Sequence, residues 1–113
     1  MKKDSDLGKD LVEYENLEKQ LEVLLIQKHQ LQIQLNEINH ALGQLKKAKG
    51  EVYKSVGSII LHTTKEDADN DLSERQELIQ VKVNAIAKQE EKLRATVMES
   101  QKSLQERMKG HEE

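Results

Sequence analysis

The chain of 113 residues has no cysteine, no proline, no phenylalanine and no tryptophan. Without cysteine there is no disulfide framework and no thiol chemistry. Its aromatic side chains are Tyr14 and Tyr53 alone. Large aromatics supply much of the buried area of a globular core, so a thick core is not expected. A block of one charge is missing too: 18 basic and 21 acidic residues are interspersed, for a net charge of −3. That excludes the electrostatic footprint of a nucleic-acid binder. The aliphatic run "VLLI" at 23–26 is far too short to span a bilayer. The opening "MKKDSDLGKD" lacks the apolar stretch of a signal peptide. A soluble, cytoplasmic protein without membrane or nucleic-acid partners is therefore expected.

What remains is 35% hydrophobic and 35% charged residues. Such a mixture encodes either disorder or long helices with one apolar seam, and periodicity separates the two. With Leu7 as heptad position a, the a positions read Leu7, Tyr14, Leu21, Lys28, Leu35 and Leu42, and the d positions read Asp10, Leu17, Leu24, Leu31, Ile38 and Leu45. This is a sustained coiled-coil pattern. Leu11 and Leu25 widen the stripe at e positions. The run ends at "KKAKG", where Lys46, Lys47 and Lys49 suit the negative end of a helix and Gly50 can take a left-handed cap.

A second, looser array has Leu72, Ile79, Ile86, Leu93, Ser100 and Arg107 at d, with Gln76, Val83, Glu90, Val97 and Leu104 at a. Thr64-Lys65-Glu66-Asp67 opens it with capping chemistry, and Gly110 is its natural stop. The expected elements are a first helix over about 7–49, a β-hairpin over about 51–64 and a second helix over about 66–109, all within one domain spanning 1–113. Each helix is roughly 60 Å long at 1.5 Å per residue. Equal helices on a short connector fold back as an antiparallel hairpin, with Leu45 level with Leu72. That register brings two polar core positions level with two others: Lys28 with Glu90, and Asp10 with Arg107. The first is read either as a register-fixing ion pair or as two heads that snorkel to solvent.

The connector "EVYKSVGSIILHTTK" carries two short β-branched runs around Gly57-Ser58, the signature of a two-residue type II′ hairpin. A plain loop has no use for Ile59-Ile60-Leu61. A lone two-stranded hairpin is marginal in water and leaves two unpaired edges. The chain has no other strand to cover them, so the hairpin is expected to pair with strands of other chains. A parallel coiled-coil adaptor, the alternative reading, would not interrupt two matched heptad arrays with such a unit.

The stretch "VYKSVGSIILHTTKED" at 52–67, the helix "IQKHQLQIQLNEINHAL" before it, and "RQE…KQEEKL" and "MKG" after it resemble the beta-class subunits of prefoldin, the archaeal type in particular. The hairpin stretch carries the resemblance. Ser58 departs from it, standing where an Asn often flanks the turn glycine, yet Ser suits the turn. The resemblance implies a mainly α fold, a long antiparallel coiled-coil hairpin with one β-hairpin at the connection. It implies a hexamer of two alpha and four beta subunits on a platform of β-barrels. It also implies an ATP-independent holdase that captures non-native client proteins at coiled-coil tips and passes them to a group II chaperonin. Assembly would then rest on Val52, Tyr53, Val56, Gly57, Ile59, Ile60 and Leu61, and client capture on Leu7, Leu11, Val12, Tyr14, Val97, Leu104 and Met108. The tip seam, with Asp10, Ser100 and Arg107 in core positions, is expected to fray and so expose these residues. Leu7, Tyr14 and Leu104 serve equally well to close the coiled coil.

No catalytic, cofactor or metal chemistry is expected. "DADND" at 67–71 starts like a calcium loop but has Leu72 at the turn glycine and Leu78 at the bidentate acid. His29, His40, His62 and His111 lack metal-site spacing. The glycines form no phosphate loop.

Overall fold

The structure, a computed structural model, describes the backbone of residues 2–112 and the side chains of 6–110. Met1 and Glu113, at the limits of the expected domain, and the His111 side chain lie outside the described residues. The element order is α1 (Lys2–Lys47), β1 (Val52–Val56), β2 (Ile59–Thr63) and α2 (Lys65–Glu112). The chain divides into two compact units, Met1–Lys28 with Ala85–Glu113, and His29–Asn84.

In the unit His29–Asn84, the end of α1 and the start of α2 pack along the expected heptad positions. Ile38, Leu45 and Val83 are buried, and Leu31, Leu35, Leu42, Leu72 and Ile79 are half-buried. The antiparallel direction is evident from Gln76, whose Nε2 donates to Asn39 Oδ1 at 2.6 Å. Thr64 caps α2: its hydroxyl accepts from the Asp67 amide at 3.0 Å and its carbonyl from the Ala68 amide at 2.9 Å. This satisfies donors that the first helical turn leaves without partners.

The far end of α1 closes differently from expectation. Gly50 is not left-handed; Gly57, at φ 60°, holds the positive φ among the described residues. The helix tightens instead through a three-residue turn, Ala48 N donating to Leu45 O at 3.2 Å. Lys65 Nζ then reaches back to the carbonyls of Lys46 at 3.2 Å and Ala48 at 3.5 Å. A cation on the orphan carbonyls does the work of a glycine cap. The helix α1 ends at Lys47.

The hairpin pairs Val52 with Thr63, Tyr53 with His62, Lys54 with Leu61, Ser55 with Ile60 and Val56 with Ile59. Gly57 has a positive φ and Ser58 does not. This is the type II′ arrangement, since type I′ needs positive φ at both positions. Strand alternation puts Val52, Lys54, Val56, Ile59, Leu61 and Thr63 on one face, and Tyr53, Ser55, Ile60 and His62 on the other. Lys54 on the first face reaches Asp71 of α2 at 3.9 Å.

In the unit Met1–Lys28 with Ala85–Glu113, every a and d position from Leu7 to Lys28 and from Ile86 to Arg107 is at least half-buried. Lys28 Nζ lies 2.9 Å from Glu90 Oε1, and Arg107 pairs with Asp10. Both expected levels are therefore present, and Lys28 and Glu90 form an ion pair. Leu11 and Leu25, at the flanking e positions, are exposed, because two helices cover only the a/d stripe. One expectation fails. Gly110 does not stop α2, which continues to Glu112. A helical glycine weakens a helix by about 1 kcal/mol relative to Ala, and ends it only where the chain turns left-handed.

Candidate binding surfaces

Among the described residues, two groups of exposed apolar side chains stand out, and neither resembles an enclosed site. The first is the hairpin. Of the residues expected to serve assembly, Val52 is half-buried; Tyr53, Val56, Ile59, Ile60 and Leu61 are exposed, Ile60 to 71%. Each face of the ribbon therefore carries exposed apolar side chains, and both long edges are free in a sheet of two strands. The ribbon is held locally by cross-strand contacts. The Tyr53 and His62 rings meet edge to face with centroids 5.4 Å apart, and His62 Nε2 contacts Glu51 Oε2. Ser55 and the turn backbone complete the tip, with the Ser55 hydroxyl 3.5 Å from Gly57 O.

The second surface flanks the seam in the unit that contains both chain ends. Here the structure divides the expected client-binding residues into three groups. Leu11, Val12 and Met108 are exposed, at 38%, 57% and 47%. Leu7 and Tyr14 are half-buried at the edge of the seam. Val97 and Leu104 are buried; Leu104, at 5% exposure, is the most deeply buried core side chain described. At the polar core positions Arg107 pairs with Asp10, and Leu104 lines an open groove with Asp10, Leu17 and Ser100.

Sequence reasoning missed Val23, Ile26 and Met98, all more than half exposed in this same unit. A signal was available. The four apolar residues of "VLLI" at 23–26 cannot all face one seam, since consecutive helical positions point 100° apart. Leu24 lines a groove with Leu93, Val23, Gln20 and Gln89, while Ile26 faces out. In the other unit Leu78 and Val81 of α2 are likewise exposed.

Electrostatics hold the seam more than they shape a reactive centre. Hydrogen bonds from Lys28 and then Arg94, whose Nε lies 3.0 Å from Glu90 Oε2, keep the Glu90 carboxyl below its ordinary range. Burial, with the neighbouring Glu18 carboxylate, pushes the Tyr14 phenol above its ordinary range, so it stays a neutral donor. Among the described residues no group of three or more His, Cys, Asp or Glu side chains is placed to hold a metal ion. No described helix is long and apolar enough to cross a membrane.

Comparison with known proteins gives this geometry a context. The solved prefoldin beta subunit from Thermococcus strain KS-1 superimposes with a TM-score of 0.83 at 32% identity, over 89% of this chain and 90% of that one. The prefoldin beta2 subunit of the same strain shares the fold, with a TM-score of 0.73 at 15% identity over 79% of this chain and 97% of that one. In sequence, the prefoldin subunit beta of Methanococcus aeolicus is 39% identical over 54 residues, 48% of this chain and 47% of that one. That of Archaeoglobus fulgidus is 38% identical over 50 residues, 44% and 43% of the two chains. The chain thus spans about half the length of the curated relatives it matches. The prefoldin subunit family model matches residues 9–111. A sequence match over nearly the whole chain, with two long helices joined by an antiparallel ribbon, establishes that the chain belongs to the prefoldin subunit family.

Proposed function

We propose that the chain is a beta-class subunit of an ATP-independent holdase, a chaperone that captures non-native proteins and delivers them to a group II chaperonin in the cytoplasm. In this reading the 1–113 unit acts as a single prefoldin-type domain. Its hairpin joins those of an alpha-class partner and of further beta copies in a hexamer of two alpha and four beta subunits. The observation that carries the proposal is the hairpin itself: two free edges and apolar side chains on both faces, Ile60 71% exposed. A two-stranded ribbon of this kind gains stability by joining a larger sheet. Val52, Tyr53, Val56, Gly57, Ile59, Ile60 and Leu61 would be its assembly residues.

Client capture is assigned to the unit that carries both chain ends. Exposed Leu11, Val12 and Met108 beside half-buried Leu7 and Tyr14 give scattered apolar contacts among charges, and methionine adapts to many shapes. Val97 and Leu104 join this surface only after local opening. The reading needs binding and no catalysis.

Native mass spectrometry of the chain, alone and with an alpha-class prefoldin subunit, tests the assembly. A hexamer is expected; a lasting monomer or a simple dimer in the presence of that partner would refute it. Replacing Leu7, Leu11 and Met108 together by Ser tests the capture surface. Weaker suppression of client aggregation by an intact assembly is expected, and unchanged suppression would count against the tip assignment.

A further inference from the structure

The face of the ribbon that bears Tyr53 and Ile60 also carries a titratable pair. Glu51 lies two residues before Tyr53, so its side chain falls on that face, diagonal to His62. His62 Nε2 contacts Glu51 Oε2, and the Tyr53 ring stands edge to face against the imidazole. Both members of the pair are more than half exposed in the single chain. Among the described contacts, Glu51 and Tyr53 are the titratable groups set against His62. Lys54 lies on the opposite face and turns to Asp71, and Lys65 turns to the carbonyls of Lys46 and Ala48.

We propose that the Glu51–His62 pair is a proton-sensitive latch on the assembly ribbon, so that association through the hairpin is tighter when His62 is protonated. This rests on the assembly role given to the hairpin above. Two physical arguments set the sign. Protonation turns a neutral contact into a charge-assisted one, which braces the base of a ribbon that is marginal alone. It also cancels the Glu51 charge on a face that must lose water when another chain covers it, and an unpaired carboxylate there opposes burial. The stabilisation is present while the imidazole carries its proton and is lost when that proton leaves, because the pair then reverts to a neutral contact.

The experiment measures the dissociation constant of the oligomer with an alpha-class subunit by analytical ultracentrifugation at about pH 6 and about pH 8. Wild type, His62→Gln and Glu51→Gln are compared, with circular dichroism confirming the helices of each. His62→Gln keeps a donor toward Glu51 at an exposed position, so folding is retained. Wild type is expected to associate about threefold to fivefold more tightly at the lower pH, the effect of an exposed ion pair. Both variants are expected to lose that difference. An oligomer whose pH profile is the same in wild type and in both variants would overturn the latch while leaving the assembly role intact. Absence of any oligomer at either pH would overturn both.

Discussion

Lys28 and Glu90, 62 positions apart, meet with Nζ 2.9 Å from Oε1, flanked along their helices by the half-buried Leu21, Leu24, Ile86 and Leu93. Glu90 is 14% exposed and accepts a second cation, Arg94, from its own helix. An ion pair at this position is weak in net stability, because both groups lose water, but it specifies which levels of the two helices face each other. Removing one partner is worse than replacing both, since it leaves a charge behind in the seam.

Acid should therefore weaken the seam through Glu90. Its carboxyl is held below the ordinary range by Lys28 and Arg94, so its contribution is complete above that range and is lost as pH falls through the lowered value. Thermal unfolding of wild type and Glu90→Gln is expected to differ most at neutral pH and to converge in acid. A gap independent of pH would show that the carboxylate charge is not what matters.

The start of α2 depends on a single hydroxyl. Thr64→Ala removes the acceptor for the Asp67 amide and is expected to destabilise the fold by about 1 kcal/mol, read as a lower urea midpoint. Thr64→Ser should restore most of it.

Stability and client binding should separate along the seam. Leu104→Ala empties a deeply buried site and is expected to destabilise by about 2 kcal/mol or more. Met108→Ser, at an exposed position, should leave unfolding unchanged and reduce suppression of client aggregation. Equal effects of the two variants in both assays would remove the distinction between core and capture surface.

Ile60→Lys places a charge on the most exposed apolar position of the ribbon. Helix content by circular dichroism should not change, while native mass spectrometry should show monomer in place of assembly. Gly57→Val is a harsher test. At φ 60° a β-branched residue is strained, so the turn itself should fail.

Much of this was legible in the sequence because its signals were local or strictly periodic. The heptad assignment located the covered positions of both helices, and the pattern of Gly57 and Ser58 identified the turn down to its type. The paired levels of Lys28 with Glu90 and Asp10 with Arg107 followed from folding one array onto the other. What escaped was decided by contacts distant in sequence. Lys65 closing the end of α1 from across the hairpin has no signature in "KKAKG". Leu11 and Leu25, which widen the stripe at e positions, stay exposed because two helices offer no third surface to cover them.

If the ribbon is the assembly element proposed above, its exposure has a consequence for a chain made without partners. A newly made subunit displays Ile59, Ile60 and Leu61 beside two open strand edges, the combination that recruits other strands indiscriminately. On the assembly role proposed for the ribbon, a chain without partners would itself be a target of quality control. Production of the chain without a partner should yield aggregates seeded at the ribbon, and balanced synthesis of the subunits becomes a condition of solubility.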